Sequence, residues 1–224
     1  ETACNYRDEL AAAAGGTLPE DHPAQFVLSM VMSMDDPGII VLPTHRLFHG
    51  VKELDAPELT ELLSSCFDCE PAGNGPEAAQ AVWQQIEELN DQGAFGFYTT
   101  KDQQWTLVTA NEKTDMQMKM VAGDQSDDWR SLGVAMLHGL IIDRLLGMEG
   151  HPKPTYVHLV QEVVDGLNGK LEGELTYPLA ALVMPATVDD IRRVSLHNER
   201  MPAKSTYFYP KLLSGLVVNP LDSN

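Results

Sequence analysis

The sequence predicts an α+β fold, in which a mixed and mainly antiparallel sheet is flanked by helices. Two observations carry that expectation. Apolar runs of strand length sit close to one another, as at Phe95–Thr99 and Gln104–Thr109, joined by only a few polar residues. Segments with helix-start chemistry are interleaved without a regular β-α alternation. In chain order, residues 1 to 13 read as the end of a helix stopped by Gly15-Gly16. Gln25 to Met34, rich in Val, Leu and Met, reads as a buried strand. Asp36-Pro37-Gly38 supplies turn chemistry, so Ile39 to Leu42 is expected to return as the hairpin partner. Pro57 to Ser65 and Pro76 to Asn90 read as helices with Pro in the first turn.

Asp115 to Val121 alternates Met116, Met118 and Met120 with Gln117 and Lys119, and reads as a further strand with one packed face. One apolar helix is expected from Trp129 to Leu146, with Asp127-Asp128 at its N-terminus. A short strand at Thr155–Leu159, a helix to Asn168 and a strand at Leu175–Met184 follow. Thr187 with Asp190 forms a capping-box pattern for a helix ending near His197. Pro202 and Pro210 bracket an aromatic segment, and Leu212 to Val218 is expected to close the chain as a strand. Residues 1–224 read as a single α+β unit. The chain opens inside a helical pattern with no initiator Met, and reads as the C-terminal half of a longer protein.

The charge restricts what this unit binds. Asp and Glu number 33 against 15 Lys and Arg, a formal net charge of −18. So acidic a surface repels phosphate backbones and anionic lipid, which argues against general nucleic-acid or membrane adhesion. Three cysteines make no disulfide framework and fit a reducing cytoplasm. The acids are unevenly placed, however. Glu53 to Thr100 holds ten acids and no Lys or Arg, whereas Pro37–Lys52, Trp129–Ile142 and Arg200–Leu221 hold no acid. In an acidic chain such gaps are candidate anion sites, because local sign governs where an anion settles.

Several signatures are missing: the phosphate-loop lysine, the dinucleotide glycine fingerprint, the nucleophile elbow and the zinc-protease helix. Cys66-Phe-Asp-Cys69 is a lone pair of cysteines and reads as incidental. Pro43-Thr-His-Arg46 places His45 and Arg46 at a strand end, where Arg offers a planar fork of donors and His moves protons near neutral pH. His138 lies on the Val134, Ile141, Leu145 stripe and could reach a pocket between helix and sheet. In Met201–Lys211, Lys204 with Ser205, Thr206 and Lys211 could cradle a phosphate, and Tyr207 and Tyr209 could wall a pocket.

Glu1-Thr-Ala-Cys-Asn-Tyr-Arg-Asp-Glu, Asp35-Asp-Pro-Gly, Leu42-Pro-Thr-His-Arg46, Leu137-His138 and Met201–Lys211 together resemble a bacterial and archaeal domain-of-unknown-function family, number ten-fifteen. The resemblance implies a longer protein, carrying upstream an Asp-Gly-His-His-Arg-Tyr motif similar to that of chromosome-partitioning CTPases, sulfiredoxins and free-serine kinases. It implies a nucleotide-dependent phosphotransferase or phosphohydrolase acting on a small metabolite of the serine or phosphoserine type, with a nucleotide and Mg2+ as cofactors. Arg46, Lys204 and Lys211 would clamp phosphate, and His45 or His138 would carry the proton. The metal ligands stay unassigned, and this half alone is expected to be inactive. Two alternatives stand beside it: a non-catalytic sensor of a nucleotide or phosphometabolite, and a structural, homodimer-forming platform. Gly133 departs from the family pattern, which places an acid there.

Overall fold

The computed structural model describes residues 2–171, 173, 175–211, 213, 215–218 and 220. By its contacts the chain divides into two units, Glu1–Ile39 with Pro210–Asn224, and Ile40–Tyr209. The first unit holds helix α1 (Thr2–Ala13), none of whose residues is buried, and a single helical turn at Pro23–Gln25.

The strand expected over Gln25–Met34 does not form. Beyond the helical turn the segment has no regular structure, and Phe26, Val27, Leu28, Met30 and Val31 are all more than half exposed. Apolar alternation makes a strand only where a partner backbone supplies a ladder, and among the described residues none does here. The same holds at the other end. Residues 213 and 215–218 form no strand, and the rest of the strand expected over Leu212–Val218 lies outside the described residues.

The second unit is built on a six-stranded sheet: β2 (His45–Phe48), β3 (Phe67–Asn74), β4 (Ala94–Thr99), β5 (Gln104–Ala110), β6 (Thr155–Val157) and β7 (Leu179–Val183). Their order is β3-β5-β4-β7-β2-β6, and every neighbouring pair is antiparallel. This is the α+β arrangement the sequence predicts. A separate two-stranded ribbon pairs β1 (Ile40–Leu42) with β8 (Tyr207–Tyr209). The expected hairpin partner of Ile40–Leu42 is thus replaced by the aromatic run near the C-terminus. Val41 opposes Phe208 there, an aromatic–β-branched pair that favours antiparallel pairing.

Strand alternation splits the core in two. Phe95, Phe97, Leu179, Ala181, Val183 and Phe48 face one way, against α2 (Ala56–Leu63), α4 (Thr114–Val121) and the helical stretch after residue 132. Tyr98, Trp105, Ala180, Leu182 and Leu47 face the other way, against α3 (Ala79–Leu89) and α7 (Val160–Leu167). Gly166 lets α7 lie directly on β2, since a Cβ there would fall on the Leu47 side chain. Two helix starts follow the sequence signals closely. Asp55 and Glu58 form a reciprocal capping box for α2, and Thr187 and Asp190 do the same for α8 (Val188–Leu196).

Two expected elements are different in kind. Residues 114 to 121 form α4 instead of a strand, with Met118 buried and Met116 and Met120 exposed. Met, Gln and Lys are good helix formers, and the inward positions Thr114, Met118 and Val121 are spaced four and three apart. The long apolar helix is broken as well. It becomes α5 (Asp127–Arg130), α6 (Gly133–Ala135) and a ten-residue π-helix, Met136–Leu145. A π-helix of that length is rare, and its wider turn alters which side chains share a face. Ile141 and Ile142 are both buried, while Leu145, expected on the same stripe, is only partly so.

Candidate functional site

Arg46 organises the site. It sits mid-strand in β2, opposite Ala181 on one side and Tyr156 on the other, and has no exposed surface. One terminal nitrogen donates to the Thr44 carbonyl, and the other to the Lys204 carbonyl at 3.1 Å. Its Nε–H is buried with no partner. The guanidinium carbon lies 5.8 Å from the centre of the Tyr156 ring. No carboxylate among the described residues pairs with it. Burial pushes its pKa down to about 10, against a smaller opposing effect of Tyr156. A buried cation of this kind ordinarily has an anionic partner.

The turn that meets Arg46 is held in an uncommon shape. Lys204 has φ of 61°, in the left-handed region, and its carbonyl is fixed by Arg46. Ser205 is buried, and its hydroxyl donates to the Pro202 carbonyl at 2.6 Å. That proton is committed to bracing the turn. Thr206 is half-buried beside it. The Lys204 ammonium stands 5.7 Å from the Tyr156 ring centre, and the Lys153 ammonium 5.8 Å from it. Both lysines are exposed and neither is paired with an acid among the described residues. Arg46, Lys153 and Lys204 therefore surround one aromatic ring.

The two histidines expected to carry a proton fall in different places. His138, on the π-helix, is half-buried, and its pKa is lowered to about 4 by burial, then by the nearby charges of Arg46 and His151. Its ring runs nearly parallel to that of His151, 6.4 Å between centres. His138 is thus neutral near pH 7 and close enough to Arg46 to feel its charge. His45, one residue from Arg46, points to the opposite sheet face. It is fully buried, edge-on to Trp83 at 4.9 Å, and its Nδ1 accepts from the Val183 N–H at 3.3 Å. Burial, then Arg46 and His158, pushes its pKa down to about 3. Strand alternation separates it from the cations.

Arg46 thus binds the Lys204 backbone, with Ser205 and Thr206 in the adjoining turn, and its charge is felt at His138. Tyr207 packs on His158, 3.6 Å between ring centres, and His158 is bound to the Pro43 carbonyl at 2.9 Å. Tyr209 is half exposed at the end of the ribbon, and Lys211 belongs to the other unit. Three members of the cluster were missed by the sequence reading: His151, Lys153 and Tyr156. A usable signal existed, since Gly150 to Gln161 is another stretch without an acid. The Gly133 departure has a steric account. A Cβ there would stand 2.5 Å from the Gln92 carbonyl oxygen, so this backbone has no room for an acid.

Other features lie elsewhere. One concavity, of about 620 Å³, is lined by Val121, Trp129, Gly139 and Arg144 among others and includes none of the three cations. Cys4, Cys66 and Cys69 are free thiols. Among the described residues no three His, Cys, Asp or Glu side chains converge as metal ligands. The cluster of cations, imidazoles and Tyr156 brings no carboxylate that would hold Mg2+. No helix among the described residues is long and apolar enough to cross a membrane.

Comparison with known proteins adds one finding. The profile of a family described as "Protein of unknown function (DUF1015)" matches residues 1–135. The chain belongs to the DUF1015 family. The matched span contains Arg46 and ends before His138, Lys153, Tyr156 and Lys204. Neither a curated protein nor a solved structure matches the chain.

Proposed function

We propose that this DUF1015 chain supplies the phosphate-binding cleft of a cytoplasmic phosphotransferase or phosphohydrolase acting on a small phosphorylated metabolite or nucleotide. One observation carries the reading: Arg46 is wholly buried, charged at neutral pH and, among the described residues, has no carboxylate partner and no acceptor for its buried Nε–H. An ion so placed is strongly unfavourable unless a counter-ion completes it. The phosphoryl group suits the vacant donors, because its oxygens accept from a guanidinium edge while the ammonium groups of Lys153 and Lys204 offset the remaining charge.

In such chemistry the same three cations would neutralise charge developing on the transferred group. His138 is the proton carrier. It is neutral near pH 7, so it can accept a proton, and an anion beside Arg46 removes part of what holds its basicity down. His45 has no such role here, since its ring sits in the opposite core.

The test is direct. Inorganic phosphate should raise the melting temperature of the chain above that in chloride of equal ionic strength, Arg46→Gln should abolish the shift, and Lys204→Gln should only reduce it. Equal melting in phosphate and chloride would overturn the proposal. Phosphorus NMR of the protein with nucleotide, Mg2+ and free serine then separates the two activities. Phosphoserine marks transfer, and free phosphate alone marks hydrolysis. Binding without turnover would favour the sensor reading.

A further inference from the structure

We infer that the Arg46 cluster takes a condensed phosphate, a ligand with at least two linked phosphoryl groups, and that Lys153 and Lys204 grip the group that Arg46 does not. This rests on the phosphate-binding reading above and specifies its ligand. The first argument is geometric. Arg46, Lys153 and Lys204 each place their charge 5.7 to 5.8 Å from the centre of the Tyr156 ring. No two of them can be farther apart than twice that distance. A ring has two faces, so at least two of the three share one. Cations crowded in this way repel unless an anion lies among them, and no acid from the described residues does so.

The second argument concerns the donors. Arg46 is rigid and buried, with each terminal nitrogen already bound to a carbonyl, so it can offer one edge to one phosphoryl group. The lysines are exposed point charges on flexible stems, free to reach a second group lying nearer the surface. The charges agree. A single phosphate monoester carries about −1.5 to −2 near pH 7, which leaves three cations under-compensated, whereas a second linked phosphoryl group closes the difference. Tyr156 holds the arrangement open. Its ring attracts each cation weakly and, sitting on β6 beside β2, fixes where the ammonium groups converge.

The test is calorimetric titration of the whole chain with inorganic phosphate, pyrophosphate and tripolyphosphate at constant ionic strength. Pyrophosphate should bind at least about tenfold more tightly than phosphate, as one added close contact between opposite charges near a surface allows. Lys153→Gln and Lys204→Gln, at exposed positions, should each lower pyrophosphate affinity by a larger factor than phosphate affinity, and so shrink that preference. If phosphate and pyrophosphate bind equally, and Arg46→Gln abolishes both, the condensed-phosphate inference fails while the phosphate site stands. If the preference survives both lysine substitutions, the second group is held elsewhere and the inference also fails. Absence of binding by all three anions would overturn this inference and the proposed function together.

Discussion

Replacing Arg46 by methionine separates an anion receptor from a structural arginine. Methionine keeps the unbranched stem of the side chain and removes the charged guanidinium. Burial lowers the guanidinium pKa well below its ordinary value, to about 10, which corresponds to about 3 kcal/mol of resistance to folding in the charged form. The sign follows from the direction: the penalty is full below pH 10 and is relieved as pH rises through it. Substitution removes this penalty but leaves the Thr44 and Lys204 carbonyls without their donor, at roughly 1 to 3 kcal/mol each. The two effects largely offset, so Arg46→Met should cost about 1 kcal/mol in phosphate-free buffer. Breaking a buried ion pair, by contrast, costs about 3–5 kcal/mol. Phosphate at a hundredfold over its Kd should add about 2.7 kcal/mol to the natural chain and nothing to the variant. For a chain of this size that difference amounts to about 5–10 °C in Tm. Thermal unfolding of both proteins, in phosphate and in chloride of matched ionic strength, provides the measurement. A loss of 3 kcal/mol or more that is the same in both buffers would refute the reasoning, because Arg46 would then be a structural residue only.

Acidification should destabilise the fold through His45 and His138, both held well below the usual histidine pKa. Their contribution is full above pH 6.5 and falls by about 1.4 kcal/mol per pH unit for each ring as pH drops toward 4, so urea unfolding of His138→Asn across that range should show a slope smaller by one proton. Phosphate binding near pH 5 should take up protons at His138, seen as a dependence of the binding heat on the buffer's ionisation enthalpy, and His138→Asn should remove it. Gly133→Ala sets a Cβ against the Gln92 carbonyl and should cost about 1–3 kcal/mol in denaturant unfolding, with phosphate affinity unchanged in the folded fraction. Asp55→Ala removes a capping box and a contact to Lys101, and should cost about 1 kcal/mol by the same assay.

What the sequence disclosed depended on how local the physics was. The Asp55–Glu58 box of α2 was not read, but other helix starts set by neighbouring residues were legible: Thr187 with Asp190, where donor and acceptor lie three residues apart, and Pro57 in the first turn of α2. So were the adjacent strands Ala94–Thr99 and Gln104–Ala110, joined by one turn. Elements whose identity rests on distant partners were misjudged. Met116, Met118 and Met120 have the alternation of a strand but the composition of a helix, and no ladder was there to decide for the strand. Ile40–Leu42 found its partner at Tyr207–Tyr209, beyond the reach of any hairpin argument. For the proposed site, the rule of searching acid-free stretches singled out Arg46, His138 and Lys204. Applied to its end it would also have located Lys153 and Tyr156. It could not separate His45 from Arg46, which are neighbours in sequence and lie on opposite faces of the sheet.

The strand order carries a consequence for how the protein is made. β2, near the start of the sheet-forming sequence, lies between β7 and β6, both encoded more than a hundred residues later. The strands β3, β4 and β5, paired in the order β3-β5-β4, can assemble as soon as they are synthesised, but β2 must wait for a loop closure of more than a hundred residues. Until then Arg46 stays hydrated and Lys204 has no carbonyl contact to make. The span shared with the family, residues 1–135, contains neither neighbour of β2. That span marks kinship and is not a folding unit: truncation at its boundary would leave β2 as an orphan segment and the cation cluster unassembled.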